Sequence, residues 1–319
     1  MKITVIGCGR WGSFIAYYLD KIGHDVTIYG LKDAPEMIRF LKERRNDLLE
    51  LSDTTKLSTD KSVIAEAETV IISIGCQGLR SLMEELKELD LKNKKFVLCM
   101  KGIEIATGKR LSEIVTECTD PSNRVAVWLG PGHVQEFYRG VPNCMVIDSD
   151  DDELKISLVK SFSSDLIRFY YGTDLIGSEI GGAAKNVLGI AAGMLDGYNM
   201  TTLKGALMSR GTREIARLMK AMGGNELSAY GLCLLGDYEA TLFSKHSHNR
   251  AFGELFVKGE KFGALAEGYY TVKALMTLKE KYSVDLPIST AVYDILYNGA
   301  DPKEVMSSLF KRSLKWELE

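Results

Sequence analysis

The sequence lacks any basic excess: 40 lysines and arginines face 43 aspartates and glutamates, for a formal net charge of −3. Nothing at the level of the whole chain therefore neutralises a phosphate backbone, which excludes nucleic acid as a partner except through local basic sites. Histidine is scarce, at four residues, and the six cysteines (Cys8, Cys76, Cys99, Cys118, Cys144 and Cys233) include no CxxC pair. A zinc site or a disulfide framework lacks its ligands, so no metal is expected and the thiols read as reduced and mostly buried. Low-complexity linkers and internal repeats are also missing. The first apolar stretch is broken by Arg10 and again by Asp20-Lys21, so neither a signal peptide nor a membrane span fits, and the expected location is the cytoplasm.

What is present is enough material for two domains. The 319 residues are 45% hydrophobic and 26% charged, the composition of a globular protein able to bury enough apolar surface to offset chain entropy. The first half repeats strand-like runs, "KITVIG", "DVTIYG", "TVIISIG", "KFVLCM", "RVAVWLG" and "NCMVID", separated by helical segments such as "EMIRFLKERRNDLL" and "LRSLMEELKEL". That rhythm predicts an α/β domain with a mostly parallel sheet, and strands apolar on nearly every residue predict cover on both faces. After "LIRFYYGTDLIG" the pattern turns to long helical stretches with little strand signal. We place the boundary near Ile176 to Ser178, giving a dinucleotide-binding domain over 1–177 and an all-helical substrate domain over 178–319, with a cleft between them.

The dinucleotide reading rests on "ITVIGCGRWGSFIAYYL". Gly7, Gly9 and Gly12 form G-x-G-x-x-G directly after a strand and directly before an amphipathic helix. In that context the first glycine makes a tight turn, the second lets backbone approach a pyrophosphate, and the third permits close helix–strand packing, with the phosphates on the helix N-terminus. The next strand should end in an acid if the ribose 2′-hydroxyl of NAD is to be gripped. It ends in Tyr29-Gly30-Leu31-Lys32. Lys32 either faces the 2′-phosphate of NADP or is a solvated surface lysine.

Polar residues on apolar faces point to the chemistry. In "SEIGGAAKNVLGIAAGML", Lys185 has Gly181, Gly182, Leu188 and Gly189 one turn away, the smallest-residue side of an apolar helix. A lysine there snorkels, pairs with an acid, or carries a depressed pKa suited to proton transfer. Lys101, in "CMKGIE", ends an apolar strand where ligands bind in doubly wound folds, although surface lysines also occur at strand ends. Asp237 follows an apolar run and a glycine, and Lys245, His246, Ser247, His248, Asn249 and Arg250 then lead into a helix. A carboxylate reaching a lysine would orient it, and such a cluster at a helix start suits an anion; the alternative is a solvated loop.

With these residues in hand, the chain resembles bacterial-type NAD(P)-dependent glycerol-3-phosphate dehydrogenases along nearly its whole length. The matching stretches run in order: "GCGRWG", "KGIE", the "GP" of "WLGPGHVQEF", "GSEIGGAAKNVLGIAAGMLDG", "KGALMSRG", "LLGDYEAT", "SHNRAFG", "AEG" and "LPISTAVYDILYNGADP". The resemblance implies a Rossmann-type N-terminal domain, a helical C-terminal domain, a homodimer, and interconversion of dihydroxyacetone phosphate and sn-glycerol 3-phosphate. It makes Lys185 the proton donor and acceptor, Lys101 the second lysine at substrate and cofactor, and Asp237 and Thr241 their polar partners. Ser247 and Asn249 match phosphate-handling positions and Gly130 a substrate contact, and we group Asn186 and His248 with them. Arg10, Trp11, Leu31, Val134, Leu265 and Glu267 match cofactor contacts, to which Lys32 and Arg250 are added.

The departures are specific. Ser247-His248-Asn249 stands where the family usually has Ser-Arg-Asn, and a neutral imidazole offers no bidentate charged fork. Lys245, His246 or Arg250 are the candidates to compensate. Gly132 replaces the serine of G-P-S, Gly75-Cys76 replaces Pro-Ser, and Leu31 stands where bacterial members often carry Arg or His. The missing acid after the second strand tilts the NAD(P) expectation toward NADP. A relative acting on a different keto compound, or a dinucleotide sensor without catalysis, are the rival readings.

Overall fold

The alternation of apolar runs and amphipathic segments resolves into one sheet with its crossovers. The computed structural model describes residues 1–314, 316 and 317. Among them the strands are β1 (Lys2–Ile6), β2 (Asp25–Tyr29), β3 (Lys56–Ser58), β4 (Thr69–Ile72), β5 (Lys95–Leu98), β6 (Arg124–Leu129), β7 (Asn143–Asp148) and β8 (Ile167–Tyr171). They lie in the order β3-β2-β1-β4-β5-β6-β7-β8, every adjacent pair parallel except β6 with β7. The order reverses direction at β1 and β4, which opens a crevice at their carboxyl ends.

The connecting helices are α1 (Arg10–Lys21), α2 (Pro35–Glu43), α3 (Ser62–Glu66), α4 (Leu79–Leu86), α5 (Leu111–Cys118), α6 (Val134–Tyr138) and α7 (Asp152–Phe162). Phe14, Ile15, Met37, Phe40, Phe137 and Phe162 cover one face of the sheet; Ile64, Leu79, Met83, Ile114 and Val115 cover the other. This double cover explains why the central strands read as continuous apolar runs.

Two strands went beyond the six expected. β3 spans three residues, too short for any periodicity to register. β8 carries "IRFYY" with Ile167 and Phe169 buried and Arg168, Tyr170 and Tyr171 exposed, where the sequence had suggested only a transition. The helix expected through Leu49 stops at Glu43, because Arg44 turns left-handed (φ 55°). Its guanidinium then hydrogen-bonds the carbonyls of Ser52 and Thr55, which offsets the turn's strain.

The second half is helical throughout the described residues: α8 (Leu175–Gly197), α9 (Lys204–Ala221), α10 (His248–Val257), α11 (Glu267–Tyr282), α12 (Pro287–Tyr297) and α13 (Pro302–Phe310). The expected division after residue 177 falls in the first turn of α8. This helix is the axis of its half, buried along nearly its whole length among Ile215, Leu218, Val272 and Leu275. Its neighbours approach at backbone distance. A Cβ added at Gly193 would lie 1.9 Å from the Arg250 carbonyl oxygen, one at Gly253 of α10 would lie 2.1 Å from that of Ile190, and one at Gly268 of α11 would lie 2.5 Å from that of Asn186. Because the opposing atoms are main chain, no side-chain rotation relieves the overlap.

Gly253→Ala is therefore expected to force α10 off α8 and to cost about 1–3 kcal/mol. Thermal unfolding followed by circular dichroism measures it, and an unchanged midpoint would contradict the close crossing.

Candidate active site

The crevice at the carboxyl edge is built by glycines. Gly7, just after β1, has φ +106°, and a Cβ there would meet the Ser73 carbonyl oxygen at 2.3 Å; one at Gly12 would meet the Gly7 carbonyl oxygen at 2.1 Å. A Cβ at Gly9 would meet no protein atom within 4 Å. Helix α1 starts immediately afterwards, and no side chain caps its first N–H groups. Backbone donors exposed beside open space at a helix start, in a strand–turn–helix unit, suit a pyrophosphate. Trp11 packs half-buried against Phe14 and Phe137, at ring separations of 5.4 and 6.2 Å. Leu31 and Lys32 are exposed at the end of β2.

Two strand ends away, the lysines converge on one carboxylate. Lys101 Nζ donates to Asp237 Oδ2 at 2.8 Å and to the Gly130 carbonyl at 2.7 Å. Lys185 Nζ lies 2.5 Å from the same Oδ2 and donates to Thr241 Oγ1 at 2.9 Å. Asp237 is 1% exposed and Lys185 7%, and Asp237 Oδ1 has no partner. The small face of α8 makes this possible. Gly182 admits Leu129 and the Lys101 stem, while Gly189 admits Thr241 and Asn249.

Burial disfavours the charged form of Lys185 and brings its pKa down to about 7; Asp237 opposes this, and the nearby Lys101 ammonium adds to it. A lysine poised near neutrality both delivers and removes a proton. Thr241 itself sits in a turn of π-helix (Glu239–Phe243) that directly follows the Asp237 turn. Such irregular turns redirect side chains that a regular helix would carry past the site.

A second chain of polar contacts joins the halves. Asn186 Nδ2 donates to the Lys101 carbonyl at 3.1 Å, Asn249 Nδ2 to Asn186 Oδ1 at 3.0 Å, and Gly268 N to Asn249 Oδ1 at 2.9 Å. Asn249 thus ties α10 to α8 and α11, while Ser247 caps α10 by accepting from the Arg250 amide. Arg10 donates to His248 Nε2 at 2.8 Å, and His248 Nδ1 donates to the Leu265 carbonyl at 3.2 Å. The guanidinium that position 248 lacks is therefore brought beside it from the glycine turn. The thiol of Cys76 donates to Glu267 Oε2 at 3.0 Å; burial raises both groups, so the thiol stays protonated.

Not every candidate joins these clusters. The Arg250 guanidinium is bound by Asp196 at 3.0 Å and Glu254 at 2.7 Å, anchoring α10 to the end of α8. Val134 is buried at the start of α6, and Leu265 is exposed. Gly132 has φ +143°, and a Cβ there would lie 2.2 Å from the Phe137 ring, so a serine does not fit this turn. His133, which the sequence did not single out, follows it with Nε2 buried and unpartnered. The Cys76–Glu267 contact was equally invisible, since 191 residues separate its partners.

Comparison with known proteins bears on this geometry. Residues 2–155 match the family model described as NAD-dependent glycerol-3-phosphate dehydrogenase N-terminus, and residues 174–307 match that of its C-terminus. The chain belongs to this dehydrogenase family. It is 34% identical over 330 residues to glycerol-3-phosphate dehydrogenase [NAD(P)+] of Thermoanaerobacter sp. (strain X514), covering 100% of this chain and 99% of that protein. It is 35% identical over 336 residues to the protein of that name in Bacillus mycoides (strain KBAB4), covering 100% and 98%. Among solved structures, glycerol-3-phosphate dehydrogenase from Coxiella burnetii superposes with a TM-score of 0.90 at 25% identity, covering 97% of this chain and 98% of that one.

The electrostatics of the centre are directly measurable. Lys185 is expected to titrate near pH 7 by NMR of labelled lysine side chains. Lys101→Met removes a like charge and moves that titration up; Asp237→Asn removes the opposing carboxylate and moves it down. A Lys185 that titrates like a surface lysine would refute the buried arrangement.

Proposed function

We propose that this protein interconverts dihydroxyacetone phosphate and sn-glycerol 3-phosphate with NAD(P), and that Lys185 transfers the proton. The observation that carries the reading is the Lys185–Asp237–Lys101 centre, beside the glycine turn, in a chain of this family.

The glycine turn fits a dinucleotide: Gly7, Gly9, Arg10, Trp11 and Gly12 would hold its pyrophosphate side, Leu31 and Lys32 its adenosine end, and Val134, Leu265, Glu267 and Lys101 the remainder. Bound NAD(P) supplies the hydride for reduction and accepts it in oxidation. In reduction the Lys185 ammonium gives its proton to the C2 carbonyl oxygen; in oxidation the amine takes the hydroxyl proton. Asp237 holds that nitrogen in place, and Lys101, tethered by Gly130, polarises the same oxygen. Thr241 fixes the direction of the Lys185 head group. The start of α10, with Ser247, His248 and Asn249, would face the phosphate.

Preference for NADP is part of the proposal, supported by the exposed Lys32 and the missing acid after β2. So are a cytoplasmic location, in keeping with six unpaired cysteines, and a homodimer. The dimer finds support in an apolar groove of about 740 Å³ between α8, α9, α12 and α13, beside the exposed Phe310, Leu314 and Trp316. With Arg10 beside His248, the region does not lack a guanidinium, which removes the chief motive for a different keto substrate.

Purified protein is expected to oxidise NADPH or NADH in the presence of dihydroxyacetone phosphate; folded protein inactive with both dinucleotides would overturn the assignment. Ketone reduction should fall and alcohol oxidation rise as pH passes through about 7, since the two directions need opposite forms of Lys185. Lys185→Met should lower kcat by about 10²-fold or more with cofactor affinity retained. Lys32→Ala should weaken NADPH about tenfold and leave NADH unchanged; equal effects on the two would return Lys32 to the solvated surface.

A further inference from the structure

Helix α9 begins with a cation at its unfavourable end. Lys204 is the first residue of α9, where the helix dipole disfavours positive charge, and it is buried all the same, at 4% exposure. A buried ammonium persists only where fixed partners take its protons. Lys204 Nζ donates to Asp196 Oδ2 at 2.6 Å and to the Leu242 carbonyl at 2.8 Å, and it lies 5.1 Å from the centre of the Phe243 ring. Asp196 stands near the end of α8. One nitrogen therefore joins α8 and α9 to the backbone of the π-helical turn Glu239–Phe243.

That turn closes with a bond from the Ser244 amide to the Glu239 carbonyl at 3.1 Å, and the chain is extended at Ser244. The last carbonyls of a helical turn that ends there have no following turn to bond. Two cations take them: Lys204 holds that of Leu242, and Arg250 Nε donates to that of Ser244 at 3.2 Å. Both cations share Asp196 Oδ2, and Glu254 accepts from Arg250 as well. Thr241 lies between this clamp and the lysine centre. Its backbone adjoins Leu242, its methyl fills the space that Gly189 leaves open, and its Oγ1 accepts from Lys185 Nζ at 2.9 Å.

We propose that Lys204 is a positioning residue for the proton-transfer step, holding the Leu242 carbonyl so that the π-helical turn presents Thr241 to Lys185. This rests on the reading of Lys185 as the proton carrier. Without that hold the turn relaxes toward ordinary helical spacing, which carries Thr241 Oγ1 away from the Lys185 head group. The ammonium then loses one accepting oxygen and keeps Asp237. Charged and titratable groups about Lys185 are Asp237, Lys101 and His133; those about Lys204 are Asp196, Arg250 and Glu254.

The test is a double-mutant cycle in the full chain, with Lys204→Met, Thr241→Val and the two combined, and with Lys204→Gln, which keeps a donor for the Leu242 carbonyl. Lys204→Met and Thr241→Val are each expected to lower kcat for dihydroxyacetone phosphate by about tenfold or more, with the NADPH dissociation constant unchanged. The combined variant should lose no more than Thr241→Val alone, and Lys204→Gln should recover part of the loss. By NMR of labelled lysine side chains, Lys204→Met should move the Lys185 titration down, as Thr241→Val does, since a lost acceptor disfavours the ammonium. A direct effect of the Lys204 charge has the opposite sign and persists when Thr241 is already valine. Additive losses in the combined variant, or an upward shift of Lys185, would overturn the proposal. Should Lys204→Met fail to fold, Lys204→Gln with and without Thr241→Val carries the same cycle. If the wild-type protein does not reduce dihydroxyacetone phosphate, the activity reading falls, and the Lys185 titrations decide the role of Lys204 on their own.

Discussion

The meeting of the sheet with the helices turns on one buried carboxylate serving two ammonium groups. Asp237 Oδ2 takes both Lys101 and Lys185, with Asp237 and Lys185 withdrawn from water and Lys101 at the edge of the cluster. Removing a member of such a buried ionic cluster typically costs about 3–5 kcal/mol, because a charge is left without compensation. The same crowding brings the pKa of Lys185 down toward neutrality. A lysine fully hydrated in water stays charged at neutral pH, whereas burial and the nearby Lys101 disfavour the charged form of Lys185 against the pull of Asp237.

That cluster exists only because backbones come close around it. Gly182 and Gly189 on α8 leave room for the Lys101 stem and for Thr241, while Gly193, Gly253 and Gly268 bring α10 and α11 within main-chain contact of α8. Larger residues would widen these crossings and draw Asn249 away from Asn186, breaking the relay that reaches the Lys101 carbonyl. The joints across the cleft are polar: Arg10 with His248, Cys76 with Glu267, Asn186 with the Lys101 carbonyl. Apolar packing also crosses between the halves: Ile103 belongs to the core around α8, and Leu175 and Cys233 to the core on one face of the sheet.

Local patterning carried most of the fold. The central strands were readable because sheet cover on both faces makes them apolar on every residue, and the α8 region was readable because a long apolar helix admits no other arrangement. β3 and the early end of α2 were not readable, since a three-residue edge strand has no period and the Arg44 turn depends on carbonyls eight and eleven residues away. Lys185 stood out as a charge on a face of small residues, and Gly7, Gly9 and Gly12 by their spacing between strand and helix. His133 carried no such signal: an imidazole after Gly-Pro-Gly looks like any loop residue until the turn buries its Nε2 next to His246.

By itself, then, the sequence determined the two-part architecture, the glycine turn and the identity of the residues able to move a proton, because periodicity, glycine spacing and a misplaced charge are properties of neighbouring residues. Tertiary structure decided how those residues act together. Sharing of Asp237 by two lysines, delivery of the Arg10 guanidinium to His248 and the use of Arg250 as an anchor for α10 all join residues distant along the chain, and pairwise contacts of that kind leave no trace in local composition. The lowered pKa of Lys185 belongs to the second group as well, since desolvation and the field of nearby charges are set by the packed surroundings and not by the residue that carries them.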